Sequence, residues 1–257
     1  MAYLVDLNSD LGESFGAYRI GQDQDIIPLI TSANVACGYH AGDPLVMEKT
    51  CQMVKESGIA MGAHPGFPDL IGFGRRNLQV SPSEAAAYIT YQLGALEAFT
   101  RHHGITLQHV KPHGALYNMA AKDKALATAI AQAVARYDDK LILLCPGASE
   151  MALAGQAAGL KIAKEVFADR AYENDGSLVT RSKEGAMITD ENLAIDRLIQ
   201  MITKGTVQSI DGKDIPIQAD SICVHGDGAK ALAFVQNIRT SFSQQGIELA
   251  PLSKIIS

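Results

Sequence analysis

Short apolar runs alternate along the chain with longer segments that have the residue spacing of amphipathic helices. Such runs, almost continuously apolar and only a few residues long, are typical of strands that are covered on both faces, as in a parallel sheet. The runs are Tyr3–Leu7, Ser32–Ala36, Ile59–Gly62, Thr106–Val110, Leu141–Cys145, Ile162–Phe167 and Ser221–Val224. The pattern therefore predicts a series of buried strands connected by helices.

Helix-boundary signals lie in the intervals between these runs. Ser81 is a good N-cap, Pro82 suits the first helical position and Glu84 suits the third. A helix should therefore begin there and continue to His103, where Gly104 ends it. Further helices are predicted over Pro44–Ser57, Ala115–Arg136, Ala148–Ala158, Thr189–Thr203 and Gly228–Gln245.

The segment Val207–Asp220 interrupts this alternation, because Asp211-Gly212 between alternating apolar residues predicts a tight hairpin. Elsewhere the alternation predicts an α/β fold with a mostly parallel sheet. About seven or eight strand–helix units favour a (β/α) barrel-like fold, whole or incomplete, as one domain over residues 1–257. A doubly wound open sheet is the alternative, and both architectures carry their functional residues at the carboxyl ends of the strands.

Composition narrows the class of protein. The 257 residues are 47% apolar and 19% charged, with 22 basic and 28 acidic side chains, and this acidic excess argues against a general nucleic-acid-binding protein. The four cysteines form no C-x-x-C pair, which favours reduced thiols over a disulfide or zinc scaffold. No apolar run approaches the roughly 20 residues of a membrane span, and the start lacks a basic signal-peptide segment. We therefore expect a cytoplasmic protein.

Polar residues are concentrated at the predicted carboxyl ends of the strands. Four of the seven histidines lie there, namely His40, His64, His113 and His225, each near Gly, Pro or a carboxylate. Because imidazole titrates near neutrality and can act as acid, base or metal ligand, their shared position predicts one functional site. The other candidates at these ends are Asn8, Asp10, Glu13, Asn34, Lys111, Glu165, Arg170 and Asp227.

Two further features remain open at the level of sequence. Arg75 and Arg76 follow Gly72-Phe73-Gly74 in a glycine-rich loop, where they are either a solvated basic pair or cations that grip a carboxylate or phosphate. A divalent metal held by Asp10, His40 and His64 is chemically reasonable, since carboxylate and imidazole are common ligands, but the spacing is not diagnostic.

The strand-end motifs resemble those of the LamB/YcsF family from about residue 3 to residue 250. The motifs are Asp6-Leu-Asn-Ser-Asp-Leu-Gly-Glu13, Asn34-Val-Ala-Cys-Gly-Tyr-His-Ala-Gly-Asp43, Gly62-Ala-His-Pro-Gly-Phe-Pro-Asp69, Gly72-Phe-Gly-Arg-Arg76, Lys111-Pro-His-Gly-Ala-Leu-Tyr117, Glu165-Val-Phe-Ala-Asp-Arg-Ala-Tyr172 and Val224-His-Gly-Asp227. So many motifs of this length are difficult to match by chance.

The resemblance implies an ATP-dependent ring opening of 5-oxo-L-proline to L-glutamate, carried out with the B and C subunits of the same 5-oxoprolinase. It also implies a seven-stranded (β/α) barrel-like fold similar to the glycoside hydrolase/deacetylase barrels. In that deacetylase class an aspartate of the first strand and later histidines hold a metal, which would correspond here to Asp10, His40 and His64. ATP would be bound with, or by, the partner subunits.

The implied reaction assigns roles to the candidate residues. Phosphorylation of the lactam oxygen would make the ring carbon electrophilic, and the site would need an anchor, a base and cations. The catalytic candidates are Asp10 or His64 as base, Lys111 and His113 for oxyanion or phosphate, and Arg170 in support. The candidates for substrate binding are Asn8, Glu13, Asn34, His40, Arg75, Arg76, Glu165, His225 and Asp227. The alternatives are a metal-dependent amidohydrolase or carbohydrate deacetylase, and a non-catalytic substrate-binding subunit.

Overall fold

The computed structural model describes residues 3–224 and 231–256 as an array of parallel strands surrounded by helices. The strands are β1 (Tyr3–Leu11), β2 (Ser32–Ala36), β3 (Ala60–His64), β4 (His109–Val110), β5 (Ile142–Pro146), β6 (Lys161–Phe167), β7 (Thr206–Gln208), β8 (Asp214–Pro216), β9 (Ser221–Val224) and β10 (Ile247–Leu249). The α-helices are α1 (Asp23–Ile26), α2 (Pro44–Ser57), α3 (Pro82–His102), α4 (Gly114–Ala120), α5 (Lys124–Tyr137), α6 (Glu150–Ala157), α7 (Glu191–Lys204), α8 (Ala231–Gln244) and α9 (Leu252–Ile255).

Seven parallel strands close into a barrel in the order β1-β2-β3-β4-β5-β6-β9, because β9 pairs back with β1. Asp6 to Ser9 of β1 lie opposite Ser221 to Val224 of β9 in register. β10 pairs with the first residues of β1, below β9. The seven-stranded (β/α) barrel-like fold is thus confirmed, and the open doubly wound alternative is excluded by the closure.

Several predicted boundaries were wrong for local physical reasons. β1 continues to Leu11 instead of ending at Leu7, since its second half pairs with β2. The single helix predicted over Ala115–Arg136 is two helices, α4 and α5, because the Asp123 side chain caps a new helix start. The predicted hairpin is confirmed as the antiparallel pair of β7 and β8.

Capping residues fix the helices around the barrel. The Ser81–Glu84 capping box starts α3, and the Asp43 side chain accepts the backbone N–H groups of Leu45 and Val46 to start α2. The main core lies between the strands and the inner faces of these helices. Across residues 3–224 and 231–256, no helix combines the length and apolarity needed to cross a membrane.

Candidate active site

A cavity of about 160 Å³ opens at the carboxyl ends of the barrel strands. Its wall contains residues that are far apart in the sequence, among them Asp10, His64, Lys111, His113 and Arg170. The closed barrel brings these side chains together because the ends of parallel strands meet at one rim. All five are catalytic candidates that the sequence predicts from their positions at strand ends.

Two buried asparagines connect the strands below the cavity. The Asn8 amide donates to Glu165 Oε1 at 3.1 Å and to Ser221 Oγ at 2.7 Å. The Asn34 amide donates to Asn8 Oδ1 at 2.7 Å and to Asp10 Oδ1 at 2.8 Å. Both asparagines are fully buried, so these hydrogen bonds satisfy groups that would otherwise be costly to enclose. Asn8 and Asn34 therefore lie where they orient the acidic side chains.

Lys111 is a buried cation held between two carboxylates. Its Nζ lies 2.9 Å from Asp10 Oδ1 and 2.8 Å from Glu165 Oε1. Burial alone lowers the pKa of Lys111, but the neighbouring negative charges, Asp10 first among them, raise that pKa well above its usual value. The Tyr117 hydroxyl donates to Glu165 Oε2 at 2.6 Å. Lys111 is therefore a permanent positive charge at the floor of the cavity.

Three imidazoles form a compact cluster beside Asp10. The rings of His40 and His113 are stacked with centroids 3.7 Å apart, and His64 meets His113 edge to face at 4.8 Å. Burial lowers the pKa of His40 and that of His113 well below the ordinary value, and the neighbouring imidazoles lower both further. These two rings are accordingly neutral at physiological pH.

Backbone carbonyls fix the protons on two of these rings. His64 Nδ1 lies 2.7 Å from the Lys111 carbonyl oxygen, and His113 Nε2 lies 2.9 Å from that of Phe73. A carbonyl oxygen can only accept, so both of these nitrogens carry the proton. The remaining nitrogens, His64 Nε2 and His113 Nδ1, face each other at 2.9 Å. If both rings are neutral, each of these nitrogens directs a lone pair at the other, and the two lone pairs repel. A cation bound by both nitrogens would remove this repulsion.

Glu13 completes the same group. Its Oε1 lies 3.0 Å from His40 Nε2, 3.5 Å from His113 Nδ1 and 4.0 Å from His64 Nε2. The four donor atoms lie within 4.8 Å of one another, and all four residues are buried. Three imidazole nitrogens and a carboxylate oxygen are a donor set that suits zinc and similar divalent ions. The Glu13–His40–His64–His113 cluster could therefore hold a metal ion.

The expected metal set of Asp10, His40 and His64 overlaps this cluster only in the two histidines. Asp10 Oδ2 lies 3.3 Å from His64 Nε2, but its Oδ1 accepts from Lys111 and Asn34. The cluster instead adds Glu13 and His113, which the sequence suggests for other roles.

Glycines allow the backbone to contact the imidazoles closely. A Cβ at Gly74 would lie 2.7 Å from His40 Cβ and 2.9 Å from His113 Cδ2, and Gly74 has a φ of +61°. A Cβ at Gly66 would lie 2.6 Å from His40 Nδ1. Phe73 also has a positive φ, of 54°, and its carbonyl oxygen holds His113. The glycine-rich loop therefore fixes the histidine cluster, which explains its unusual sequence.

Of the remaining described residues that the sequence predicts for substrate binding, only Arg75 lines the cavity. Arg75 lines the cavity above the Phe73 ring. The adjacent Arg76 has an exposed side chain that pairs with the buried Asp69 and does not line the cavity, so its role as substrate anchor stays a prediction. Glu165 lies below the cavity, paired with Lys111. His225 and Asp227 fall outside the described residues.

Tyr117 and Arg181 are polar residues of the cavity lining that were not among the sequence candidates. Tyr117 lies on α4 four residues after His113, so helical spacing could have placed it on the same side. Arg181 comes from the long connection between β6 and α7, where no motif or periodicity distinguishes it.

Asp6 lies deeper in the barrel and is fully buried, with hydrogen bonds from the hydroxyl groups of Thr31, Ser32 and Ser221. Burial raises its pKa from 3.8 to about 6, although the three hydroxyl groups oppose this change. The folded protein therefore binds a proton more tightly than the unfolded chain, and this contribution to stability is lost as pH rises from about 4 through 6.

We expect the Asp6→Asn variant to lose this pH dependence. The substitution can also change stability by a constant amount at every pH, so the relevant quantity is the difference in free energy of unfolding between the variant and the wild type. This difference should shift by about 2–3 kcal/mol in favour of the variant between pH 4 and pH 7. Urea titrations at several pH values measure the difference, with Asp139→Asn, an exposed site, as the control. A difference that stays constant with pH would show that Asp6 titrates normally.

Known proteins with similar sequences cover almost the whole chain. The sequence profile of the LamB/YcsF family matches residues 5–257. The A subunit of the 5-oxoprolinase from Clostridium beijerinckii is 62% identical over 98% of this chain and 99% of its own. The Bacillus subtilis protein of the same name is 53% identical over 98% of each chain.

Solved structures show the same fold. The lactam utilization protein from Thermus thermophilus has a TM-score of 0.91 and 43% identity, covering 96% of this chain and 98% of its own. The catalytic domain of a peptidoglycan N-acetylglucosamine deacetylase from Eubacterium rectale has a TM-score of 0.51 and 9% identity, and the match covers 98% of this chain and 89% of that domain. The second likeness concerns the fold alone. With a profile match over nearly its full length and relatives more than half identical, the chain belongs to the LamB/YcsF family.

Proposed function

We propose that this chain opens the lactam ring of 5-oxo-L-proline to give L-glutamate, as the A subunit of an ATP-dependent 5-oxoprolinase with B and C subunits. The relatives that carry this name match 98% of the chain. The observation that carries the proposal is the meeting of Asp10, His64, Lys111 and His113 around one small cavity. The volume of this cavity is about 160 Å³, whereas pockets for drug-sized ligands typically have volumes of about 300–1,000 Å³. A small cavity of this kind suits a molecule the size of a five-membered ring.

The proposed reaction has three steps: phosphoryl transfer, ring opening by water and release of phosphate. ATP, handled with the partner subunits, transfers its γ-phosphoryl group to the lactam oxygen and leaves as ADP. Water then adds to the ring carbon, the C–N bond breaks with a proton passing to nitrogen, and a second water releases inorganic phosphate. The products are glutamate, ADP and phosphate.

Asp10 is the general base in this scheme. Lys111 and Asn34 both bind Asp10 Oδ1, which orients the carboxylate and directs Oδ2 towards His64. A positioned carboxylate can accept the proton of the attacking water. The Lys111 ammonium group stabilises the negative charge that develops on the oxygen atoms of the intermediate.

We propose further that the Glu13–His40–His64–His113 cluster binds a divalent metal. The support is the pair of nitrogens, His64 Nε2 and His113 Nδ1, that face each other at 2.9 Å with their protons fixed elsewhere. A bound metal would supply Lewis-acid stabilisation of the lactam oxygen. The same cluster favours the second candidate function, a metal-dependent amidohydrolase or carbohydrate deacetylase that acts without ATP.

Reconstitution tests the proposed function. The chain is mixed with its B and C partners, and glutamate release from 5-oxoproline is followed with and without ATP. We expect glutamate only in the complete mixture with ATP, and a decrease of about 10²–10⁴-fold for Asp10→Asn but none for Asp139→Asn. Absence of glutamate from every mixture would refute the proposal, while ATP-independent hydrolysis of an N-acetylated sugar by the chain alone would support the second candidate.

A further inference from the structure

Three arginines line the cavity, and none of them pairs with a carboxylate among the described residues. They are Arg75 from the glycine-rich loop, and Arg170 and Arg181 from the connection between β6 and α7. Among residues 3–224 and 231–256, the ion pairs of arginine and lysine are Arg76–Asp69, Lys111–Asp10, Lys111–Glu165 and Lys183–Glu173. Asp169 offsets part of the charge of Arg170, but none of the three guanidinium groups has a described carboxylate within ion-pair distance.

Arg170 carries the strongest sign of a missing anion. The residue is 6% exposed, its Nη2 donates to the Val179 carbonyl oxygen at 2.6 Å, and its Nε has no hydrogen-bond partner among the described atoms. Burial of this guanidinium is costly, the nearby Arg181 adds repulsion, and the charge of Asp169 opposes these two effects without cancelling them, so the pKa of Arg170 is lowered. An anionic ligand would remove both costs.

The connection that carries Arg181 is an ordered structure. The Val179 N–H donates to the Ala171 carbonyl oxygen at 3.0 Å, and the backbones of Arg170 and Met187 pair as an isolated antiparallel β-bridge. Ala171, Val179 and Ala186 form a small apolar core beneath it. Because Arg170 also binds the Val179 carbonyl oxygen, it fixes the backbone two residues before Arg181. The two arginines are thus positioned together.

The charge of the three arginines exceeds that of the free substrate. 5-Oxoproline carries one carboxylate, which would leave two guanidinium charges unbalanced. A phosphoryl group adds about 1.5–2 negative charges and three strong acceptor oxygens, and guanidinium groups bind such oxygens in bidentate pairs. The phosphorylated lactam therefore matches the cationic wall in charge, whereas the free lactam does not.

We propose that Arg181, together with Arg75 and Arg170, forms the subsite that binds the phosphoryl group of the activated lactam. The identity of this ligand rests on the proposed function, but the affinity of the subsite for a phosphate-type anion does not. Arg181 is then a specificity-determining residue, which distinguishes the phosphorylated lactam from the free one.

Binding of inorganic phosphate to the purified chain tests the subsite directly. Calorimetric titration at constant ionic strength should show saturable binding to the wild type. Loss of a charged hydrogen-bond donor should weaken that binding about tenfold or more in Arg181→Gln. The control is Lys183→Gln, a cation of the same connection that pairs with Glu173 outside the cavity, and its affinity should equal that of the wild type. Equal phosphate affinity in Arg181→Gln, or no saturable binding to the wild type, would overturn the inference.

Assays of the assembled enzyme separate this inference from the proposed function. In the complex with B and C subunits, Arg181→Gln should reduce glutamate release about tenfold or more. If the wild-type complex releases glutamate and Arg181→Gln matches it, the subsite assignment fails alone. If the wild-type complex releases none, the proposed function fails, and the phosphate titration still decides whether the anion subsite exists.

Discussion

Replacement of Lys111 by Met is expected to destabilise the protein and abolish glutamate release. Lys111 is 3% exposed and lies between Asp10 and Glu165, so the substitution leaves the buried Glu165 and the partly buried Asp10 without their cation. Removal of one partner from a buried ion pair typically costs about 3–5 kcal/mol. For a chain of this size the melting temperature should fall by about 6–20 °C.

The matched control is Lys161→Met, which removes an exposed lysine from β6. It should change stability by less than about 0.5 kcal/mol. Calorimetric melting of the three proteins, followed by glutamate release at a temperature where all are folded, separates loss of fold from loss of chemistry. A Lys111→Met protein that melts with the wild type would show that the carboxylates do not need this cation, and our description of the cavity floor would be wrong.

The barrel itself could be predicted from the sequence because its strands are short, apolar and separated by helical segments. Their carboxyl ends must meet at one rim, so His64 at the end of β3 and His113 after the end of β4 were expected to share a site. The structure places their nitrogens 2.9 Å apart. The strand pattern alone left open whether β9 closes on β1, because pairing between strands more than two hundred residues apart leaves no local pattern in a single sequence, and only the family resemblance implied the closed, seven-stranded barrel.

The details that control the chemistry depend on contacts that spacing does not encode. Glu13 lies beyond the end of β1, and only the path of the chain after Leu11 brings its carboxylate to His40. Arg75 and Arg76 are adjacent in sequence, yet one lines the cavity and the other pairs with Asp69. Arg181 lies in an irregular segment where position alone carries no information.

Metal content and activity are expected to fall together when His113 is replaced by Gln. The substitution removes the Nδ1 atom that faces His64 Nε2 and lies 3.5 Å from Glu13 Oε1. Changes outside the ligand shell typically cost 10–100-fold in metal affinity or activity, so loss of a ligand should cost more than about 100-fold. Elemental analysis of the purified chain and glutamate release by the assembled enzyme measure the two effects.

The control is His102→Gln, chosen because a second group on the surface, Glu48, His102 and His103, could also hold a metal. If the stoichiometric metal lies in the barrel mouth, His102→Gln retains both the metal and full activity. A wild-type chain that is fully active without metal and unaffected by chelators would rule out the metal proposal. The repulsion between His64 Nε2 and His113 Nδ1 would then be relieved by a proton, which ¹⁵N chemical shifts of the two imidazoles would show directly.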